Sequence, residues 1–235
     1  MERIVERLLG DLTGREVRVI DRTDLGGESV ARVTLDREYD GIGRTVIAKP
    51  PGPVELADLA ADLQQPTVFT HGDFTPNNVV LADGEARLVD LESAGRRHPG
   101  IDAACLRLPF PQYGHWATLP QQVLEEMDQA YREELRSPAD DASYERLIAT
   151  GCATWAIVRA SRLRLIATPD QDPAEALRRR TQIVQTLTSA ASSARPIYPV
   201  LSAWFDQLAG AMRLRWEEAR QPPRTFQAFK DFSNQ

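Results

Sequence analysis

The chain has 235 residues, of which 42% are hydrophobic, and its formal net charge is −6. A chain of this length can bury a sizeable core, as one two-lobed domain or two small ones. The acidic balance argues against a nucleic-acid partner, because nucleic-acid-binding domains carry basic patches. It is compatible with a cationic small molecule. No run reaches the roughly 18 apolar residues of a membrane span, so no membrane partner is expected.

Cysteine usage indicates the compartment. Cys105 and Cys152 are too few for a disulfide framework or a cysteine-based metal cluster, and both have alanine-rich neighbours. We expect buried thiols in a reducing environment. The N-terminus also lacks the apolar core of a signal peptide, which favours a cytoplasmic protein.

The first third of the chain predicts one helix followed by short strands. Apolar residues at positions 4, 5, 8, 9 and 12 have helical spacing, and Gly14 ends the pattern. Period-two alternation predicts strands on either side of a glycine turn at 25–29. A further strand ends at Lys49, in the sequence Val-Ile-Ala-Lys. The predicted strands cover 15–22, 30–35 and 45–48.

A helix over 54–64 and a strand over 67–70 lead to His71-Gly72-Asp73. Two apolar runs then follow, at 79–81 and 86–89, with Asp83-Gly84 between them. An Asp-Gly pair between apolar runs predicts a β-hairpin, because glycine tolerates the positive φ of the turn. This hairpin would bring Asn78, before its first strand, next to Asp90, after its second.

The polar residues of this segment have the spacing that phosphoryl transfer requires. Asp73 is a candidate to orient an attacking hydroxyl, while Asn78 and Asp90 are candidate magnesium ligands. Taken one at a time, the same residues could be ordinary turn and cap residues. Their joint spacing favours the catalytic interpretation.

Residues 70–92 resemble the catalytic core of the aminoglycoside phosphotransferase family, which shares the protein-kinase-like fold. The resemblance implies an α+β fold with two lobes. Residues 1–53 would form an abbreviated β-rich N-lobe, and residues 54–235 a mainly helical C-lobe that carries the catalytic loop.

The same resemblance assigns roles to individual residues. Asp73 would be the catalytic residue, and Asn78 with Asp90 would bind Mg²⁺. Lys49 would contact the phosphates of ATP, and Gly27 with Ser29 would close over them; the alternatives are a surface lysine and a plain hairpin turn. His71 and Asp102 would brace the loop, and Glu92 would lie just outside the metal ligands.

The interval between Lys49 and Asp73 is much shorter than the resemblance implies. A kinase-like fold places there a helix with a glutamate partner for the lysine, two strands, the adenine-binding hinge and two more helices. At ordinary element lengths this needs roughly 60 residues, and the chain has only residues 50–72. Glu55 could stand in for the absent glutamate. Three explanations compete: the chain lacks a segment, is naturally abbreviated, or is a remnant without a nucleotide pocket.

From residue 94 onward the periodicity predicts helices. The most direct functional hypothesis is an ATP- and Mg²⁺-dependent O-phosphotransferase acting on a hydroxyl of an aminoglycoside-, amino-sugar- or choline-like molecule. The alternative is a catalytically silent, kinase-like binding module. The predicted helices cover 121–135, 144–167, 173–191 and 198–220.

Overall fold

A computed structural model of the chain describes residues 2–25, 31–39, 42–48, 53–112, 115–135, 140–161, 163, 173–220 and 224–225. Within these residues the architecture is α+β. Small antiparallel sheets dominate the N-terminal part and helices the C-terminal part, as the sequence predicts.

The N-terminal region is one helix and a three-stranded sheet. Helix α1 (Glu2–Thr13) ends at Gly14, whose φ is 66° and whose N–H donates to the Gly10 carbonyl at 2.9 Å. The antiparallel sheet has the order β1-β2-β3, and the central strand alternates buried and exposed residues. The first strand begins later than the predicted 15–22, because 15–18 lie outside the ladder. The strands are β1 (Val19–Asp24), β2 (Ala31–Leu35) and β3 (Thr45–Ala48).

The segment with the candidate site contains one helix and two strand pairs. Helix α2 (Pro53–Asp62) precedes β4 (Val68–Thr70), which pairs with β7 (Gly95–Arg97). Strands β5 (Val79–Ala82) and β6 (Glu85–Leu88) form the predicted hairpin. Asp83 and Gly84 at its turn have φ values of 56° and 79°, as an Asp-Gly hairpin turn requires.

Helices dominate the rest of the chain, with departures from the prediction. Helix α5 starts before residue 144 because Asp140 caps it, accepting the Ser143 N–H at 2.7 Å. Residues 164–167 of the predicted 144–167 helix lie outside the described residues. The last helix stops at Arg215, and a 3₁₀ turn covers Glu217–Arg220. The helices are α3 (Gly100–Ala103), α4 (Gln121–Glu134), α5 (Asp141–Ala160), α6 (Pro173–Ala194) and α7 (Pro199–Arg215).

Four strands lie where the sequence predicted only helices and loops. Strand β7 lies in the region from residue 94 onward for which the sequence predicts helices. Gly95-Arg96-Arg97 has no apolar alternation and becomes a strand only by pairing with β4. The other three form a small sheet with the order β10-β9-β8. They are β8 (Phe110–Gln112), β9 (His115–Thr118) and β10 (Arg224–Thr225).

The helical core forms where α6 packs between α5 and α7. Leu187, Leu201 and Phe205 at these contacts are completely buried. None of the described helices is both long and apolar enough to cross a membrane. This core is the support against which the candidate site is held.

Candidate active site

Asp102 fixes the backbone of the His-Gly-Asp turn. Its carboxylate lies on the short helix α3 and accepts the N–H of His71 at 2.6 Å and the N–H of Gly72 at 2.9 Å. Hydrogen bonds to an ionised acceptor are about twice as strong as neutral ones. The predicted bracing role of Asp102 is therefore confirmed in its geometry, across 30 residues of sequence.

Gly72 has no room for a side chain. Its φ is 81°, and a Cβ at this position would collide with the Ser93 carbonyl and the Arg97 guanidinium. That guanidinium donates a hydrogen bond to the same Ser93 carbonyl. The glycine of the His-Gly-Asp motif is thus required both by backbone conformation and by close packing.

His71 links the turn to Val89, the residue that follows the second strand of the hairpin. The ring is buried, and its Nε2 lies 2.8 Å from the Val89 carbonyl oxygen, while Nδ1 lies 3.4 Å from the Asp73 nitrogen. Both ring nitrogens therefore face backbone atoms. The geometry confirms the prediction that His71 is a scaffold residue.

Asn78 connects the turn at His71–Asp73, the candidate catalytic turn, with the hairpin. Its Nδ2 donates to the Asp73 carbonyl at 2.8 Å and lies 3.3 Å from the Asp73 carboxylate Oδ2. The backbone carbonyl of Asn78 accepts the Val89 N–H at 3.0 Å. A 3₁₀ turn over Pro76–Asn78 sets this geometry. The hairpin thus brings Asn78 beside Val89, the residue that precedes Asp90.

Asp90 follows the hairpin in a left-handed conformation, with φ 61° and ψ 54°. Aspartate is among the few residues with a side chain that adopt this region at modest cost. Its side chain is exposed and makes no capping bond to the 3₁₀ turn at Leu91–Ser93. Asp73 is exposed as well. Both carboxylates are therefore accessible to a ligand.

The donor set fits a magnesium ion that is shared with a bound phosphate. The Asn78 Nδ2 atom faces Asp73, which leaves Oδ1 as the amide atom available to a cation, and Asp90 supplies an exposed carboxylate. Mg²⁺ is held by one or two carboxylates together with waters and substrate phosphates. Among the described residues, no group of three or more His, Cys, Asp or Glu side chains gathers at metal-binding distances.

The helix that carries Asp102 is itself held by close contacts with α5. Gly100 and Gly151 meet backbone to backbone, and a Cβ on either would collide with a carbonyl of the other helix. Trp155 donates its indole N–H to the Ile101 carbonyl at 2.8 Å, and the Tyr131 hydroxyl donates to the Pro99 carbonyl at 3.0 Å. The sequence patterns did not single out this support for the site.

Helix α2, which precedes the catalytic turn, is fixed at both ends. Glu55 accepts the N–H of Val200 at 2.9 Å and of Leu201 at 2.7 Å, so it caps α7. Both of its carboxylate oxygens are thus engaged at this helix terminus. The expectation that Glu55 could stand in as the lysine's partner stays a prediction, because Lys49 lies outside the described residues. At its other end, Asp62 accepts from Arg146 at 2.9 Å and from the Tyr198 hydroxyl.

Burial changes the acidity of several groups behind the site. It lowers the pKa of His98, although Asp62 acts in the opposite direction, and His98 Nδ1 accepts the Gly100 N–H at 3.1 Å. Burial also raises the pKa of the Cys152 thiol to about 12. Both cysteines are free, and Cys152 is completely buried whereas Cys105 is partly buried. Neither is suited to act as a thiolate nucleophile.

The structure brings some of the predicted site residues together. Asp73, Asn78 and Asp90 lie at one end of the hairpin, and Glu92 lies in the 3₁₀ turn just after it. Lys49, Gly27 and Ser29 lie outside the described residues. Their assignment to the nucleotide stays a prediction.

The fold, with small antiparallel sheets followed by helices, is consistent with a kinase-like two-lobe architecture. Residues 34–147 match the model of a family described as the phosphotransferase enzyme family. The matched region includes β3, the catalytic turn, the hairpin and Asp102, which together carry the geometry above. A search of curated proteins finds no significant match to the chain.

Proposed function

We propose that the protein is an ATP- and Mg²⁺-dependent phosphotransferase that transfers the γ-phosphoryl group to a hydroxyl of a small molecule. The observation that carries the proposal is the hydrogen bonding of Asn78 to both the backbone and the carboxylate of Asp73. It joins the candidate hydroxyl-orienting group to a candidate metal ligand. The family match over residues 34–147 supports the same reaction class.

Asp73 would orient the acceptor. With Oδ2 facing Asn78, its other carboxylate oxygen is the one available to accept the hydroxyl proton. The exposed position leaves room for the acceptor to approach. Because phosphoryl transfer depends mainly on positioning and charge neutralisation, a backbone held by Asp102 suits this task.

Asn78 and Asp90 would hold the metal, and Lys49 with Gly27 and Ser29 would hold the nucleotide phosphates. A Mg²⁺ ion held by Asn78 and Asp90 would supply the positive charge that offsets the negative charge of the transferred phosphoryl group. The acceptor would be an aminoglycoside-, amino-sugar- or choline-like alcohol, in keeping with the net charge of −6. The free cysteines support a reducing, cytoplasmic setting.

A matched pair of aspartates tests the nucleotide-binding half of the proposal. Asp83 and Asp90 are both exposed and both left-handed, with φ 56° and 61°. Asparagine retains that conformation and removes the charge. At about 100 times Kd, ATP with Mg²⁺ should stabilise the protein by about 2.7 kcal/mol, or roughly 5–10 °C. We expect Asp90→Asn to abolish this thermal shift and Asp83→Asn to retain it.

A second variant tests the transfer step. Asp73→Asn should retain the Mg²⁺-dependent thermal shift but lower ADP release with an active alcohol by at least about 10²-fold. The alcohol would be found by screening amino sugars, aminoglycosides and choline with the wild-type chain. Near-normal transfer by Asp73→Asn would contradict its role. Absence of any shift at millimolar ATP would instead favour the catalytically silent binding module.

A further inference from the structure

Asp90 is held in place through its neighbours in the chain, because its own side chain makes no bond to the turn that it begins. Before it, Val89 donates its N–H to the Asn78 carbonyl at 3.0 Å, and its carbonyl oxygen lies 2.8 Å from the His71 ring. After it comes the 3₁₀ turn Leu91–Ser93. The position of the candidate metal ligand therefore depends on what holds this second turn.

Arg97 provides a contact on that second side. Its guanidinium donates a hydrogen bond to the carbonyl of Ser93, the last residue of the 3₁₀ turn. The same guanidinium and the same carbonyl lie against Gly72, in the space that a Cβ would occupy. Gly72 directly precedes Asp73. One side chain thus contacts both the turn that follows Asp90 and the turn that carries Asp73.

The backbone of Arg97 is itself fixed by strand pairing. It lies in β7 and pairs with Val68 of β4, the strand that leads into His71. Two positions along the same pair of strands, the Thr70 hydroxyl donates to the Gly95 carbonyl at 3.0 Å. The side chain of Arg97 therefore reaches from a fixed strand back across four residues, which restricts the loop between them.

The chemistry of the side chain suits such a contact. A guanidinium carries several donors in a rigid plane, so it can bond a carbonyl and touch a second backbone segment at the same time. Arg97 is exposed, and among the described residues it forms no ion pair, so its bond goes to the backbone of the site. Its neighbour Arg96 donates instead to the Thr67 carbonyl at 3.2 Å, before β4 begins.

We propose that Arg97 is a positioning residue that fixes the candidate metal ligand Asp90 relative to Asp73. This role rests on the proposed function and adds to it a residue that the spacing of the motif does not reveal. Arg97 acts through Ser93 and Gly72 rather than through a contact with the nucleotide. Because the hairpin before Asp90 is held mainly by its own ladder, the bond to Ser93 restrains Asp90 from the other side.

Hydrogen exchange, followed by NMR, tests the contact without any substrate. The Ala94 N–H donates to the Leu91 carbonyl at 3.0 Å, so this amide reports opening of the 3₁₀ turn. We expect Arg97→Ala to speed exchange at Ala94 at least about tenfold, the factor that corresponds to one charge-assisted bond. The control Arg96→Ala, one residue away on the same strand, should leave this amide unchanged. An unchanged rate in Arg97→Ala would overturn the proposal.

Two references separate the local contact from a general loss of stability. Amides of α7 lie in the buried core, and their acceleration by the same factor in Arg97→Ala would overturn the assignment to a local contact. The conservative variant Arg97→Lys retains a charge and a donor on a long side chain. It should recover at least about threefold of the lost protection at Ala94. No recovery in this variant would count against the bond to Ser93.

The Mg²⁺ dependence of nucleotide binding gives a readout that a merely structural role would not change. With ATP present, the Mg²⁺ concentration that gives half of the maximal thermal shift should rise about tenfold in Arg97→Ala. The same concentration should stay unchanged in Arg96→Ala. A lower melting temperature with an unchanged Mg²⁺ dependence would overturn the proposal.

The two measurements together distinguish positioning from direct contact with the phosphates. A changed Mg²⁺ dependence with unchanged exchange at Ala94 would overturn the proposal, because it would assign Arg97 to the phosphates. If the wild-type chain showed no shift with ATP, the proposed function would fail. The exchange rates at Ala94 would still decide whether Arg97 holds the turn after Asp90.

Discussion

The catalytic turn and the hairpin that follows it are adjacent in sequence but are supported very differently. The turn at His71–Asp73 is held by the His71 ring, by Asn78 and by Asp102, whose two bonds reach across 30 and 31 residues of sequence. The hairpin is held mainly by its own ladder, and Leu81 and Leu88 are exposed. The group that would orient the acceptor is thus fixed by the core, whereas Asp90 depends on a lightly supported element.

This comparison predicts that the turn is far more sensitive to substitution than the hairpin. Asp102→Ala removes two charge-assisted bonds and leaves the N–H groups of His71 and Gly72 without their acceptor. We expect a loss of roughly 4 kcal/mol in the free energy of unfolding, measured by urea denaturation. Asp102→Asn should lose about half as much, because its remaining oxygen can still accept. Asp83→Asn at the hairpin turn should change stability by less than about 0.5 kcal/mol.

The two values together decide whether the comparison is correct. A loss below about 1 kcal/mol in Asp102→Ala would show that other contacts hold the turn. A loss in Asp83→Asn as large as that of Asp102→Ala would show that the hairpin is equally constrained.

The next largest loss of stability is expected from a substitution at the contact between α3 and α5. Gly151→Ala places a Cβ against the Gly100 carbonyl, and backbone stands on both sides of the contact. We expect a loss of about 3 kcal/mol, typical of severe overpacking, measured by urea denaturation. Gly210→Ala in α7 is the matched control, since its Cβ would meet nothing within 4 Å. That change should stabilise the protein by about 0.5–1 kcal/mol.

If Gly151→Ala proved as well tolerated as Gly210→Ala, the close approach of α3 and α5 could not be what holds Asp102. Because Asp102 lies on α3, any displacement of that helix should also weaken the hold on the catalytic turn. Hydrogen exchange at His71 and Gly72 would report it directly.

The smallest predicted effect is a pH dependence that originates behind the turn. Burial lowers the pKa of His98, so the unfolded chain binds more protons than the folded one just below pH 6.5. Stability from this residue is therefore present above pH 6.5 and falls as the pH decreases towards the folded-state pKa. The expected loss is at most about 1.4 kcal/mol per pH unit.

Substitution of His98 by asparagine isolates this contribution. His98→Asn retains an oxygen that can accept the Gly100 N–H but cannot titrate. Urea denaturation at pH 7.5 and pH 5.5 should show a smaller acid loss in the variant than in the wild-type chain. An identical pH dependence in both would contradict the assignment to His98.

Local signals in the sequence predicted much of this structure. The hairpin was predicted correctly because Asp83-Gly84 specifies its turn, and α1 because Gly14 ends a clear amphipathic repeat. The bonds of Asp102 and His71 to the loop backbone followed from the family resemblance. These features depend on a few neighbouring residues, or on a motif whose spacing is itself informative.

The features that the sequence did not reveal depend on distant partners. Strand β7 has no intrinsic strand pattern and exists through its pairing with β4. Glu55 caps a helix 145 residues away, and the contact of Gly100 with Gly151 becomes visible only when α3 and α5 are packed. A tertiary contact of this kind leaves no periodic trace in either segment.

Because the backbone of Asp90 is left-handed, a substitution at this position can preserve the fold while removing the side chain that the proposed activity needs. Asparagine and glycine both tolerate φ near 61°, so either could replace this aspartate with little backbone strain. Each replacement would remove the carboxylate proposed to bind magnesium. A descendant of this chain could therefore lose the proposed metal site by a single substitution and still fold, whereas most other replacements at residue 90 would also incur backbone strain.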